Sequence, residues 1–206
     1  MFTYRITQLT DLLGKLNLYD FLFGVTASKR HQAFLDRIIE LAKLNGNEML
    51  LDVGCGTGTL ICEIAKRFPN IAIAGIDVSE NLLNVAKQKI QQNGGQIELR
   101  VASVLELPYR NNTFDVVVTS IMFHQLDIEE KQKAVQEMYR VLKIGGRYVS
   151  AEFGPKATNP IRKWLAKGEW TLYPSHLRDA GFSISYEQLA RAMWGKQMFY
   201  RVAEKP

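Results

Sequence analysis

The 206-residue sequence is poor in the side chains that hold structural metals and disulfides, with only two cysteines and three histidines. Cys55 and Cys62 lie seven residues apart beside a glycine-rich stretch, a spacing that offers no obvious disulfide geometry. The scattered histidines complete no zinc pattern. We therefore expect two small buried cysteines and no metal site.

Long apolar runs are also missing. No stretch approaches the roughly 20 apolar residues that a membrane-spanning helix needs, and the first residues lack the basic segment and apolar segment of a secretory signal. Hydrophobic residues make up 47% and charged residues 23% of the chain, which is ordinary globular usage. These features predict a soluble, cytoplasmic protein with one domain in the α/β size range.

The net charge of +5 lies at the two ends of the chain. Residues 1–45 carry six basic and four acidic groups, residues 46–154 eleven and thirteen, and residues 155–206 nine and four. The basic run Lys156, Arg162, Lys163 and Lys167 is compatible with a solvated helix face. Contact with an anionic substrate or a membrane surface is the less favoured alternative.

Apolar, β-rich runs alternate with helical patterns, which predicts a parallel sheet covered by helices. Two later strands, Phe182–Tyr186 and Gln197–Ala203, are separated by too few residues for a helical crossover and are expected to run antiparallel. The expected fold is a Rossmann-like three-layer α/β sandwich whose seven-stranded, mostly parallel sheet has an antiparallel last strand. The other predicted strands are Met49–Val53, Ile71–Asp77, Gln96–Ala102, Phe114–Ser120 and Arg147–Phe153, and the helices are Thr59–Phe68, Glu80–Gln92 and Asp127–Leu142.

A glycine-rich loop is the strongest chemical signal. Gly54, Gly56 and Gly58 form G-x-G-x-G between a predicted strand and a predicted helix, where bare backbone can approach a ligand closely. Asp77 lies 19 residues after Gly58, at the end of the next strand. Nucleotide-binding folds use an acidic residue at this place to accept hydrogen bonds from ribose hydroxyls. The pair predicts a ligand that contains a nucleoside.

Asp52, two places before the loop, makes this stretch resemble the first motif of the class I S-adenosylmethionine-dependent methyltransferases. S-adenosylmethionine has no pyrophosphate, so a carboxylate beside the loop can help to hold the α-amino group of the ligand. A pyrophosphate in the same place would be repelled by that charge. The resemblance implies S-adenosylmethionine as the cofactor, with no metal.

Later segments extend the resemblance, most closely to the small-molecule methyltransferases of ubiquinone and menaquinone biosynthesis. They are Tyr19-Asp20, Leu107-Pro108-Tyr109 and Asn111-Asn112-Thr113-Phe114-Asp115. By this resemblance Ser103 and Val104 contact the adenine, although many members carry an acidic or amide residue where Ser103 stands. The implied cofactor-binding residues are Tyr19, Asp52, Gly54, Gly56, Thr57, Gly58, Asp77, Val78, Ser103, Val104 and Ser120.

The resemblance also divides the single methyltransferase domain. Residues 1–45 form an N-terminal helical cap or lid, residues 46–154 the cofactor-binding core, and residues 155–206 an acceptor-side helix with the terminal strands. Specificity for the acceptor is expected in the N-terminal segment and in the insertion Phe153–Ser175.

Methyl transfer from a sulfonium needs alignment above all, and orientation can contribute roughly 7–11 kcal/mol. A base is needed only if the acceptor must lose a proton. His124 is the first candidate for this base, because it follows the fourth predicted strand, at the edge where open α/β sheets bind their ligands. Imidazole also titrates near neutrality. His124 could equally cap the strand and orient the loop. Glu152 is a second candidate that could instead pair with a basic neighbour.

These residues predict an S-adenosylmethionine-dependent methyltransferase acting on a small-molecule acceptor, for which apolar and aromatic molecules are both open. An RNA methyltransferase is an alternative favoured by the basic ends, but no appended RNA-binding module is visible. A nicotinamide-dinucleotide oxidoreductase would need G-x-G-x-x-G, whereas position 59 is threonine. A non-catalytic cofactor-binding protein on the same fold is the remaining alternative.

Overall fold

The computed structural model describes residues 29–93, 97–154, 174–191 and 197–206. Tyr19, most of the expected N-terminal cap and the basic run from Lys156 to Lys167 lie outside the described residues. The described helices are α1 (Lys29–Ala42), α2 (Thr59–Arg67), α3 (Glu80–Asn93), α4 (Ile128–Val141) and α5 (174–179). The strands are β1 (Met49–Val53), β2 (Ala72–Asp77), β3 (Ile97–Val101), β4 (Phe114–Ser120), β5 (Leu142–Phe153), β6 (Ser183–Arg191) and β7 (Gln197–Glu204).

The seven strands form one sheet in the order β3-β2-β1-β4-β5-β7-β6. Strands β1 to β5 pair in parallel, while β7 lies antiparallel between β5 and β6. This arrangement confirms the predicted mostly parallel sheet with an antiparallel last strand. Strand order reverses between β1 and β4, which is where open α/β sheets bind their ligands.

Both faces of the central strands are buried, which explains their nearly continuous apolar sequence. On one face, Leu50 of β1 packs in a cluster with Ile38 of α1 and Ile61 of α2. On the other face, Leu51 packs in a cluster with Met138 of α4. The sheet is therefore the middle of three layers, as predicted.

Helix α4 begins and ends differently from the prediction. Asp127 is its N-cap: the Asp127 side chain accepts from the Glu130 N–H at 2.8 Å, and the Glu130 carboxylate accepts from the Asp127 N–H at 3.0 Å. The helix ends at Val141 and β5 starts at once with Leu142. The prediction that a loop separates this helix from a strand beginning at Arg147 is therefore wrong.

The residues between Leu142 and Arg147 form an irregularity inside β5. Leu142 pairs with Phe114 and Arg147 with Val116, so four residues of β5 lie opposite one residue of β4. Gly145 has φ +75° there. This backbone conformation lets the extra residues of β5 bulge out of the strand, so that pairing with β4 resumes at Arg147. Gly145 thus lies in a bulge inside β5. Among the described helices, none is long and apolar enough to cross a membrane.

Candidate active site

The glycine loop turns the chain from β1 into α2 with three residues in the left-handed region. Gly54, Gly56 and Gly58 have φ of +75°, +55° and +73°, a conformation that side chains disfavour. The turn is fixed to the neighbouring strand, because the N–H groups of Gly54 and Cys55 both donate to the Ile76 carbonyl, at 2.8 and 2.9 Å.

The three glycines meet different surroundings. A β-carbon on Gly54 would lie 2.6 Å from Met122 Cγ, and one on Gly58 would lie 2.9 Å from Ala86 Cβ. A β-carbon on Gly56 would meet nothing within 4 Å. Gly54 and Gly58 therefore allow close packing within the protein, whereas Gly56 borders open space where a ligand can approach the backbone.

Asp77 connects this loop to the end of β2. Its Oδ2 accepts from the Gly56 N–H at 2.9 Å, and its Oδ1 accepts from the Ser79 N–H at 2.9 Å. Burial raises the pKa of Asp77, and these backbone donors oppose the rise. A carboxylate has about four acceptor positions, so it can still accept from two ligand hydroxyls. Ser79 in turn caps α3 by accepting from the Leu82 N–H at 3.3 Å.

Asp52 lies on β1, opposite Gly75 of β2, and therefore on the same face of the sheet as Asp77. Only 2% of Asp52 is exposed. Its Oδ1 has no hydrogen-bond partner among the residues that the structure describes. Burial, together with the negative charge of Asp77, raises the pKa of Asp52 to about 8. A buried carboxyl group in this state is suited to a cationic partner.

The side chains around these two carboxylates complete the inner part of the site. Thr57 is buried, and Lys89 of α3 donates to both Thr57 Oγ1 and Thr59 Oγ1, at 3.0 and 2.9 Å. Cys55 and Cys62 are buried thiols, as predicted. Burial, followed by the charges of Asp52 and Asp77, raises the pKa of Cys55, so this thiol is not a ready nucleophile.

The adenine side of the predicted site lies at the ends of β2 and β3. Val78, directly after Asp77, is 57% exposed. Val104 is buried against the α4 side of the sheet. Ser103 Oγ accepts from the Leu105 N–H at 3.1 Å, so its oxygen already supports the local turn. The Ser103 hydroxyl keeps its O–H donor and one lone pair for a ligand.

The loop that follows β4 carries His124. Ser120 ends β4, and His124 lies exposed in a short 3₁₀ helix, Phe123–Gln125. Its ring packs edge-on against Phe153, the last residue of β5, with ring centroids 5.6 Å apart. The structure thus places His124 at the carboxyl edge of the sheet, where a base for an acceptor would be needed.

Glu152, one residue before Phe153, lies behind this loop. It is 2% exposed, and burial raises its pKa to about 7 against the opposing effect of nearby N–H groups. Its Oε1 accepts from the Met122 N–H at 3.0 Å and from the Phe123 N–H at 3.2 Å. The Glu152 carboxyl group therefore faces protein backbone on one side.

The structure brings most of the predicted residues to one edge of the sheet, where β1, β2, β3 and β4 end. Two neighbours were not found from sequence. Met122 fills the space beside Gly54, and Lys89 reaches the threonines of the loop. Neither carries a sequence signal, because each contact joins segments that are far apart in the chain.

A family model described as a methyltransferase domain matches residues 50–146. The demethylmenaquinone methyltransferase of Alkalihalophilus pseudofirmus is 31% identical over 163 residues, covering 78% of this chain and 67% of that protein. The chain belongs to the class I S-adenosylmethionine-dependent methyltransferase family. This membership agrees with the motif resemblance and removes the oxidoreductase alternative.

Two further relatives are also named as methyltransferases of quinone biosynthesis or of demethylmenaquinone. The ubiquinone/menaquinone biosynthesis C-methyltransferase UbiE of Geotalea daltonii is 36% identical over 157 residues, covering 72% of this chain and 63% of that protein. The Bacillus subtilis demethylmenaquinone methyltransferase is 34% identical over 136 residues, covering 65% and 58%. The chain thus spans somewhat less than two thirds of the length of several relatives that it matches.

Solved structures agree with the fold. The [4+2]-cyclase SpnF has a TM-score of 0.79 at 20% identity, with 98% of this chain and 95% of that chain covered. The geranyl diphosphate C-methyltransferase of Streptomyces coelicolor has a TM-score of 0.70 at 15% identity, with 85% and 79% covered. At these identities the likeness concerns the fold alone.

Proposed function

We propose that this protein binds S-adenosylmethionine at the carboxyl edge of β1 to β4 and transfers its methyl group to a small molecule. The observation that carries the proposal is the buried Asp52 carboxyl group, which lies on the same sheet face as Asp77 and has an oxygen with no partner among the described residues. Family membership supports the same ligand.

The residues present fit the cofactor. Bound S-adenosylmethionine supplies an electrophilic methyl group on a positively charged sulfur. Asp52 would hold the α-ammonium group of the ligand, and Asp77 would accept from its ribose hydroxyls. Gly56 leaves room for the ligand against the loop, and Ser103 with Val104 would line the adenine.

The charge of the site argues against a dinucleotide. Asp52 and Asp77 lie on the same face of adjacent strands, and the charge of Asp77 already raises the pKa of Asp52. A pyrophosphate beside this pair would add negative charge to a buried acidic site. An ammonium group removes the same difficulty, since it neutralises the carboxylate that burial destabilises.

For the acceptor, we infer a reduced quinone that lacks the ring methyl group, by the printed names of the relatives. The electron-rich ring carbon of a quinol would attack the methyl carbon. A carbon–carbon bond would form as the sulfur–carbon bond breaks, and the ring proton would leave. His124 would receive that proton, because its side chain is exposed in the loop after β4. The division into an N-terminal helical cap or lid (1–45), a cofactor-binding core (46–154) and an acceptor-side helix with the terminal strands (155–206) belongs to the same proposal.

The test uses the purified protein, S-adenosylmethionine with a labelled methyl group, and a short-chain demethylmenaquinol. We expect labelled product in which one ring hydrogen has been replaced by methyl. The oxidised quinone is the control and should gain no label, because its ring carbon is not nucleophilic. A parallel reaction with total RNA covers the alternative acceptor. A further reaction uses the small molecules of a cell extract as acceptors. Label in RNA, with none in these small molecules, would overturn the proposal.

A further inference from the structure

The loop after β4 begins with a strained residue. Ile121 has φ +55°, in the left-handed region that β-branched side chains avoid. Such a conformation is unfavourable and persists only where the surroundings hold it. One contact that holds it is the hydrogen bond from the Ile121 N–H to the Ala151 carbonyl, at 2.8 Å.

The next two residues are held by a side chain. The N–H groups of Met122 and Phe123 both donate to Glu152 Oε1, at 3.0 and 3.2 Å. Glu152 directly follows Ala151 on β5, so consecutive residues of one strand bind three consecutive backbone N–H groups of the loop. This is a specific cradle for the turn, built from a backbone carbonyl and one buried carboxyl group.

The cradle fixes two features of the proposed site. Met122 packs against Gly54 closely enough to exclude a β-carbon there. His124 packs on Phe153, which follows Glu152 on the same strand. The turn that Glu152 binds therefore contacts the glycine loop on one side and presents His124 on the other.

We propose that Glu152 is a positioning residue, which holds the 121–124 turn so that Met122 supports the glycine loop and His124 faces the acceptor. What the turn requires from Glu152 is an acceptor oxygen. A direct role in proton transfer would instead require an ionisable group. The catalytic part of this inference rests on the proposed function, whereas the structural part does not.

Substitutions separate these requirements. Glu152→Gln keeps an acceptor oxygen but cannot exchange a proton. Glu152→Met is similar in length, has no comparable acceptor, and avoids the cavity that alanine would leave. Ser150→Ala is the matched control, because Ser150 is buried on the same face of β5 and its Oγ has no partner among the described residues.

The first measurement is amide hydrogen exchange of Met122 and Phe123 in the ligand-free protein. Glu152→Met should accelerate exchange of both amides by roughly tenfold or more, through the loss of two hydrogen bonds. In Glu152→Gln and Ser150→Ala, the exchange rates of these two amides should stay within about threefold of those in the original protein. Unchanged exchange in Glu152→Met would overturn the structural part, whatever the activity of the protein.

The second measurement is methyl transfer to the short-chain demethylmenaquinol. Glu152→Met should lower kcat by roughly 10- to 100-fold, by analogy with other misplacements of catalytic groups, with KM for S-adenosylmethionine changed much less. Glu152→Gln should retain most of the kcat of the original protein. A Gln variant as inactive as the Met variant, with normal exchange at Met122 and Phe123, would mean that Glu152 transfers a proton. If the original protein transfers no methyl group to this quinol, the quinol acceptor is ruled out, and the exchange result still decides the positioning role.

Discussion

Met122 occupies the space that a side chain at position 54 would need. A β-carbon on Gly54 would lie 2.6 Å from Met122 Cγ and 3.0 Å from Met122 Cβ. The loop after β4 and the glycine loop after β1 are therefore in direct packing contact. Gly56, two residues on, faces open space. The two glycines should respond differently to the same substitution.

Gly54→Ala should destabilise the protein by about 2–4 kcal/mol, from the positive φ and from overlap with Met122. Gly56→Ala should cost about 1 kcal/mol in stability but should weaken binding of S-adenosylhomocysteine more than tenfold, because its methyl group enters the ligand space. Denaturant unfolding and calorimetric titration measure the two effects.

A double variant checks the packing argument. Gly54→Ala combined with Met122→Ala should be less destabilised than the sum of the two single variants, since the shorter side chain relieves the overlap. Additive losses would mean that Met122 and position 54 do not compete for the same space.

Asp52 makes cofactor binding a proton-linked event. With its pKa raised to about 8 by burial and by Asp77, Asp52 is largely protonated in the ligand-free protein at pH 7. Binding of an ammonium group should ionise it, so close to one proton should be released for each ligand bound. Calorimetry in buffers of different ionisation enthalpy measures this number. The Asp52→Asn variant should release none and should bind more weakly.

The same group affects stability in the ligand-free state. The pKa of Asp52 is higher in the folded than in the unfolded chain, so its favourable contribution is present below the ordinary carboxyl pKa. That contribution is lost as the pH rises towards about 8. Asp52→Asn should therefore be more stable than the original protein at pH 8 to 9, in denaturant unfolding without ligand. Equal pH dependence in both proteins would contradict the burial argument.

Asp77 has two tasks, because it binds the Gly56 and Ser79 N–H groups as well as the proposed ribose. Asp77→Asn keeps one of the two oxygens that accept from the backbone and loses the charge, so it disturbs the loop less than alanine would. We expect a loss of roughly 1.5–3 kcal/mol in S-adenosylhomocysteine binding. Asp115→Asn is the control: it lies near the opposite end of β4 and pairs with Lys143 at 2.8 Å. Unchanged affinity in Asp77→Asn would remove the ribose assignment.

If His124 is the base, His124→Ala should lower kcat by roughly 10²–10⁴ while affinity for S-adenosylhomocysteine stays nearly the same. His176→Ala, in α5, is the matched control and should retain activity. Turnover with the demethylmenaquinol is the measurement. Full activity in His124→Ala would leave His124 as a residue that packs on Phe153.

Local sequence patterns were sufficient for much of this site. β1 and β4 have the predicted bounds, because buried apolar runs between loop residues are distinctive. The glycine loop and Asp77 also lie as expected. What could not be predicted depends on pairing across the sheet: the bulge before Arg147 follows from the register with β4. Glu152 binds the 121–124 turn only because β5 lies beside β4. The residues next to Glu152 in sequence give no indication of that contact.

The acidic edge of this sheet is the proposed binding site for S-adenosylmethionine. Calorimetric titration of the purified protein with S-adenosylhomocysteine and, separately, with NAD tests this assignment, with Asp52→Asn as the paired variant. We expect saturable binding of S-adenosylhomocysteine that is weakened in Asp52→Asn, and no binding of NAD. Saturable binding of NAD together with no response to S-adenosylhomocysteine would rule the assignment out.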